Sequence, residues 1–195
     1  MLFRSDGAAM LINHLIEAHG RQRIVFLHGP MGHEDSQWRE RGYRESLAAH
    51  NIPFDPALIA SGGFDDDEAF VTIQQMLREG VNFDAVFAGD DDAAAGAYRA
   101  LKMAGRLIPG DVAVVGFDDV SFARYLSPAL TTVHAPIEEV GREAVRQLAR
   151  LMNGEPAEVL TLMRTQLVIR ESCGCAPVSS ESDRSQDESL LSTRR

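Results

Sequence analysis

Short apolar runs that alternate with helical patterns constrain this chain more than any other feature. Residues 112–115 (VAVV) form an apolar run closed by Gly116; 23–27 and 85–88 are equally short and apolar. Runs of this length bounded by turn residues read as strands buried on both faces of a parallel sheet. A helix is expected from Ser5 or Asp6, either of which can cap it, to about residue 18. Leu11, Leu15 and Ala18 share one face of it and Gly20 stops it. Further helices are predicted over 37–50, 65–79, 93–104 and 137–152. Acidic residues 65–68 stand at the positive end of the third helix, and Gly105 stops the fourth. Pro136 suits the first turn of the last helix, whose apolar side is Ile137, Val140, Ala144, Leu148 and Leu151. Residues 58–60 could add a strand, and 160–163 with 166–169 a terminal hairpin or edge strands. The β-α-β-α order implies an α/β fold, a parallel sheet flanked by helices with right-handed crossovers. Beyond Pro177 the chain is rich in Ser, Asp and Glu and is expected to be disordered.

Composition narrows the function classes. The chain has 195 residues, 45% hydrophobic and 25% charged, enough for one sizeable core. Its formal net charge is −10 and no Lys/Arg cluster stands out, so this chain alone is not expected to bind DNA. No apolar run is long enough for a membrane span, and no signal peptide is evident, so a cytoplasmic location is the simpler expectation.

The acidic clusters carry most of the candidate chemistry. Asp118 and Asp119 follow the 112–117 strand, and Asp90, Asp91 and Asp92 follow the 85–88 strand. In open α/β sheets ligands bind in the crevice outside the carboxyl ends of the strands. Capping and dipole interactions account equally for Asp90–Asp92. Three consecutive Asp point in different directions and lack a metal-loop spacing, so no metal is expected there. Nothing orients a general base or supplies an oxyanion hole, so the chain is not read as an enzyme. Arg39 could donate two parallel hydrogen bonds to ligand hydroxyls or a carboxylate, but on spacing alone it is one of three helix-end charges with Arg41 and Arg44. Cys173 and Cys175 form one C-x-C, and a disulfide across one residue would be strained. A structural zinc site needs about four ligands. With no second Cys pair or nearby His, the two cysteines are expected to be reduced thiols in a closing turn. The six histidines, at 14, 19, 28, 33, 50 and 134, show no ligand spacing.

Several motifs fall together in one order. They are Asp6-Gly7 with His14-Leu15-Ile16 and His19-Gly20, Arg39 with Gly42-Tyr43, and Asp91 with Ala94 and Gly96. Ile108-Pro109, Gly116-Phe117-Asp118-Asp119, Pro128 and Leu130-Thr131-Thr132-Val133 follow, and Leu167-Val168-Ile169-Arg170 with Ser172-Cys173 closes the series. In this order the chain resembles the effector-binding domains of the lac-repressor (LacI/GalR) family, whose fold is that of type I periplasmic sugar-binding proteins. The resemblance covers about residues 3–175.

The resemblance implies a division into subdomains. Residues 3–20 would be a remnant of the first subdomain and 21–129 the second. Residues 130–154 would be a crossover segment belonging to the first, 155–175 return strands to the second, and 176–195 a disordered tail. The family's helix-turn-helix and most of its first subdomain are not in this sequence, which leaves the 137–152 helix with an apolar face and no partner. The resemblance also implies the ligand contacts. Arg39 would contact the effector, Phe64 would stack on it, and Asp118 would accept its hydroxyls. Asp90 stands where the family carries an Asn. An amide donates and accepts whereas a carboxylate only accepts, which favours a polyhydroxyl or cationic ligand over an anionic one. Ser36 could add a hydroxyl. The implied function is a small-molecule module, for a sugar or nucleoside, of a LacI-type transcriptional regulator acting as a homodimer, without a cofactor. The Ser172-Cys173-Gly174-Cys175 ending also resembles LacI-like sensor modules of diguanylate cyclases or sensor kinases, which is the alternative.

Overall fold

The computed structural model describes residues 4–156, 158 and 161–176; the expected tail from 177 onward lies outside them. Four parallel strands form the centre: β1 (Ile24–His28), β2 (Ile59–Ser61), β3 (Ala85–Ala88) and β4 (Ala113–Val115), in the order β2-β1-β3-β4. Every residue of β3 and β4 is buried, as the unbroken apolar runs require. Alternate side chains nevertheless serve different cores. Val25, Leu27, Val86, Ala88 and Val114 face α3 (Asp66–Arg78) and α4 (Asp91–Met103). Ile24, Phe26, Ala85, Phe87, Ala113 and Val115 face α1 (Arg4–His19) and α2 (Glu34–Ala49). The strand period of two thus divides one apolar run between two helical layers.

Local chemistry sets the helix starts. Asp65 and Asp90 cap α3 and α4, accepting from Glu68 N at 2.9 Å and Ala93 N at 2.8 Å. Close helix packing needs small residues. A Cβ on Gly96 would collide with the Asp66 carbonyl of α3, and one on Gly42 with the Ser5 carbonyl of α1.

The α1 helix packs directly on the central sheet. Ala8, Leu11, Ile12 and Leu15 are fully buried on the same sheet face as α2. The described part of residues 3–20, expected as a remnant of a first subdomain, is therefore built into the core shared with residues of the second. Apolar positions on successive turns meet a matching sheet face, and burial holds the helix there.

After β4 the chain runs through β5 (Thr132–His134), then α5 (Ile137–Met152), and returns in β6 (Gln166–Val168). β5 pairs antiparallel with β6, and parallel bridges Val115–Thr131 and Asp118–His134 attach it beside β4. Of the expected hairpin or edge strands over 160–163 and 166–169, the second segment forms β6, which takes β5 as its partner; among the described residues 161–163 make no strand, so the hairpin is not formed. No residue of α5 is buried. Ile137, Leu148 and Leu151 are each more than half exposed, while Val140 of the same face packs against the core on the α1 side of the sheet. No helix among the described residues is long and apolar enough to cross a membrane.

Candidate functional site

Strand order reverses direction between β1 and β3, which opens a crevice beyond their carboxyl ends. Gly29 follows β1 and Gly89 follows β3. The Phe64 ring lies against both, and a Cβ at either glycine would penetrate it. Arg39 of α2 lies over this ring with Cζ 5.2 Å from its centroid, and 4.0 Å from that of Phe117. The guanidinium donates from Nη1 to the Gly89 carbonyl and from Nη2 to Asp118 Oδ1 at 3.0 Å. Arg39 is only 3% exposed, while the Asp118 side chain is 32% exposed. Two aromatic faces, a carbonyl and a carboxylate therefore fix the planar cation, leaving Asp118 open to solvent.

Arg39 and Asp118 line a cavity of about 660 Å³ together with Asp35, Asp119, Val120, His134 and the start of α5. Five carboxylates, those of Asp35, Asp118, Asp119, Glu138 and Glu139, face it against one arginine. Such a wall accepts hydroxyl or cationic donors and repels anions.

Backbone strain gathers at the same place. Phe64, Asp118 and Asp119 hold φ of 58°, 103° and 56°, a region that side-chain-bearing residues rarely occupy. Asp118 is held there because its N–H donates to the Val133 carbonyl at 2.8 Å. Such strain persists where surrounding contacts over-determine it.

The other expected residues stand at different distances from the cavity. Neither Phe64 nor Asp90 lines it; Phe64 packs against Arg39, which does. Asp90 is half-buried at the α4 cap; burial first, then repulsion from Asp92 and Asp118, pushes its carboxyl up to about 6. Ser36 does not line this cavity: its hydroxyl accepts from Gly29 N at 2.9 Å and so shapes the loop after β1.

Two acidic residues have roles that sequence reasoning missed. Asp91 is almost fully buried; Oδ1 accepts from the Thr132 hydroxyl at 2.6 Å and Oδ2 from Val120 N at 2.9 Å. It ties α4 to β5 and to the loop that carries Asp118. Burial raises its carboxyl to about 7 against the pull of those two donors. Asp119 pairs with Arg170 at 2.6 Å and stands 3.3 Å from His134 Nδ1. The strongest available hint was the Arg170 of the closing motif, but its partner lies 51 positions away. The structure also brings His14 and His19 to Cys173 and Cys175. The expectation that no histidine could join the C-x-C is overturned, because local spacing is blind to a contact across 156 positions.

Comparison with known proteins identifies the family and the fold. Residues 12–173 match the family described as periplasmic binding protein-like domain. The HTH-type transcriptional regulator CelR of Thermobifida fusca is 37% identical over 85% of this chain and 49% of its own length. The solved structure of a CelR–cellobiose complex superimposes with a TM-score of 0.82 at 35% identity, over 88% of this chain and 52% of that one. A dimeric lac repressor with a C-terminal deletion gives a TM-score of 0.81 at 30% identity, over 87% and 61%. The chain spans about half the length of the curated relatives it matches. It belongs to the periplasmic binding protein-like family, in the form of the effector-binding domains of LacI/GalR regulators.

Proposed function

We propose that the chain is the effector-binding module of a LacI-type transcriptional regulator and that its ligand is a neutral sugar. The observation that carries this reading is the clamped Arg39–Asp118 pair at the mouth of an acid-rich cavity beyond the strand ends. A buried guanidinium offers fixed donors and a half-open carboxylate offers acceptors, the pairing that vicinal hydroxyls satisfy. Arg39, Asp118, Phe64 and Asp90 form the site, with Ser36 holding the adjoining loop. Cellobiose in the CelR complex is such a polyhydroxyl ligand. Ligand binding would close the cleft and bias a dimer between states of different DNA affinity; a dimeric lac repressor is among the structures this chain resembles. The alternative of a cyclase or kinase sensor draws no support from these relatives.

A thermal-shift series tests the ligand class, since a ligand that binds only the folded state raises Tm. Neutral mono- and disaccharides are expected to raise it and the corresponding sugar acids to leave it unchanged. Stabilisation by sugar acids alone would contradict the reading.

A further inference from the structure

Where the last turns of α1 meet the closing turn, four side chains come together that the ligand site does not use. His14 and His19 come from α1, and Cys173 and Cys175 from the closing turn. Their donor atoms all lie within 4.8 Å of one another. The distances are 3.3 Å between the two Nε2 atoms, and 3.4 Å and 3.5 Å from His14 Nε2 to the sulfurs of Cys173 and Cys175. His19 Nε2 lies 3.4 Å from the Cys175 sulfur.

We propose that these four residues form a tetrahedral zinc site that fastens the first helix to the end of the domain. Zinc bonds of about 2.0–2.1 Å to nitrogen and about 2.3 Å to sulfur imply tetrahedral edges of roughly 3.3–3.8 Å. Four of the six edges fall in or at the border of that range, and the other two, from Cys173 to His19 and to Cys175, lie within 4.8 Å and would tighten on binding. Hydrogen bonds cannot make all of these contacts at once, although the Cys173 thiol can also donate to the Arg170 carbonyl at 3.4 Å. His14 Nε2 carries either one proton or one lone pair, yet three donor atoms crowd it within 3.5 Å. A cation at the common centre satisfies all four at once. The rings also cross edge to face, at 82° with centroids 5.0 Å apart, so both Nε2 atoms aim inward without stacking.

The neighbouring structure supports ligation. Thr131 Oγ1 accepts from Arg170 N at 2.8 Å, which turns its hydroxyl proton toward the Cys173 sulfur at 3.2 Å. A hydroxyl donor suits a thiolate and is the kind of outer partner that metal ligands use. Gly174, between the cysteines, has φ of 116°, and a Cβ there would lie 3.0 Å from His19 Nδ1. Only glycine lets the turn pass the imidazole and present both sulfurs to one point. Two nitrogens and two thiolates select zinc over magnesium or calcium, and four protein ligands leave no open position for catalysis. Zinc binding displaces the thiol protons to solvent and changes no oxidation state. The metal would join segments 156 positions apart and hold the turn that follows Arg170, the partner of Asp119.

The test uses the untagged 195-residue chain under reducing conditions. Elemental analysis is expected to find about one zinc per chain. Titration with Co²⁺ should give the intense visible bands of a tetrahedral thiolate site, bleached by Zn²⁺. Zn²⁺ should raise Tm and a chelator lower it, whereas Mg²⁺ should do neither. The variants C175S and H19Q should each weaken zinc by more than about 100-fold, beyond what loss of an outer-shell partner costs. Cys175 is not fully buried, so C175S should still fold; the wild-type Co²⁺ spectrum needs no variant at all. A wild-type chain that takes up no zinc and gives only weak octahedral Co²⁺ bands would overturn the proposal. So would zinc binding that survives H14Q/H19Q, since two thiolates alone would then hold the metal.

Discussion

Replacing Arg39 with methionine removes a charge that is buried among two rings, a carbonyl and a carboxylate. Asp118 is partly hydrated, so the loss should fall short of that for a fully buried pair: about 1–3 kcal/mol by chemical denaturation. Destabilisation below about 0.5 kcal/mol would mean the clamp is not formed in solution. Asp91 makes a second prediction, in pH. Its folded carboxyl is raised to about 7, so the folded state binds more protons than the unfolded chain between the ordinary carboxylate range, near 4, and 7. Its contribution is therefore fully present below that range and is lost as pH rises toward 7. Wild-type stability should fall relative to D91N by up to about 1.4 kcal/mol per pH unit in this window, measured by paired melts. A flat difference would show that Thr132 and Val120 N–H fully compensate the buried charge. At this scale the sequence displayed Arg39 and Asp118 through motif order and strand ends. Ser36 was harder to place, because a hydroxyl in the first turn of a helix says nothing of whether it faces the cleft or, as here, the Gly29 amide. Asp91, Asp119 and the histidine–cysteine cluster depend on partners tens to more than a hundred positions away, which no local pattern encodes.

Elements were more legible than residues. The central strands showed as unbroken apolar runs because both faces are covered, and the starts of α3 and α4 showed in their acidic caps; Ser5 and Asp6, expected to cap α1, lie inside it, and α2 begins at Glu34, ahead of the expected 37, with no side-chain cap. The return strand at 166–169 was legible as a short apolar run and forms as β6, but its partner was not: β5 takes the pairing, since the Asp118–His134 and Val115–Thr131 bridges already hold it beside β4. The α3–α4 contact yields a prediction of its own. Gly96 admits the Asp66 carbonyl where any Cβ would collide. G96A should part the two helices and cost about 1–3 kcal/mol by urea denaturation, despite the better helix propensity of alanine. A neutral or stabilising result would mean the helices pack more loosely than described.

For the whole molecule, α5 is the exposed liability. Ile137, Leu148 and Leu151 stand open, and burying each such aliphatic is worth about 1.5–3 kcal/mol. A homodimer through this helix is the proposed outcome. Light scattering after chromatography should give twice the monomer mass, and L148D/L151D should return it to monomer. A strictly monomeric wild type with α5 well protected in hydrogen exchange would refute it. The central claim is that Arg39 and Asp118 hold a neutral sugar beyond the strand ends, and calorimetric titration tests it most directly. With the sugar that gives the largest thermal shift, the wild type should bind at one site per chain. R39A and D118A should each weaken binding by at least about tenfold, the loss of one charged hydrogen-bond partner. Unchanged affinity in both folded variants would place the ligand elsewhere and contradict the account.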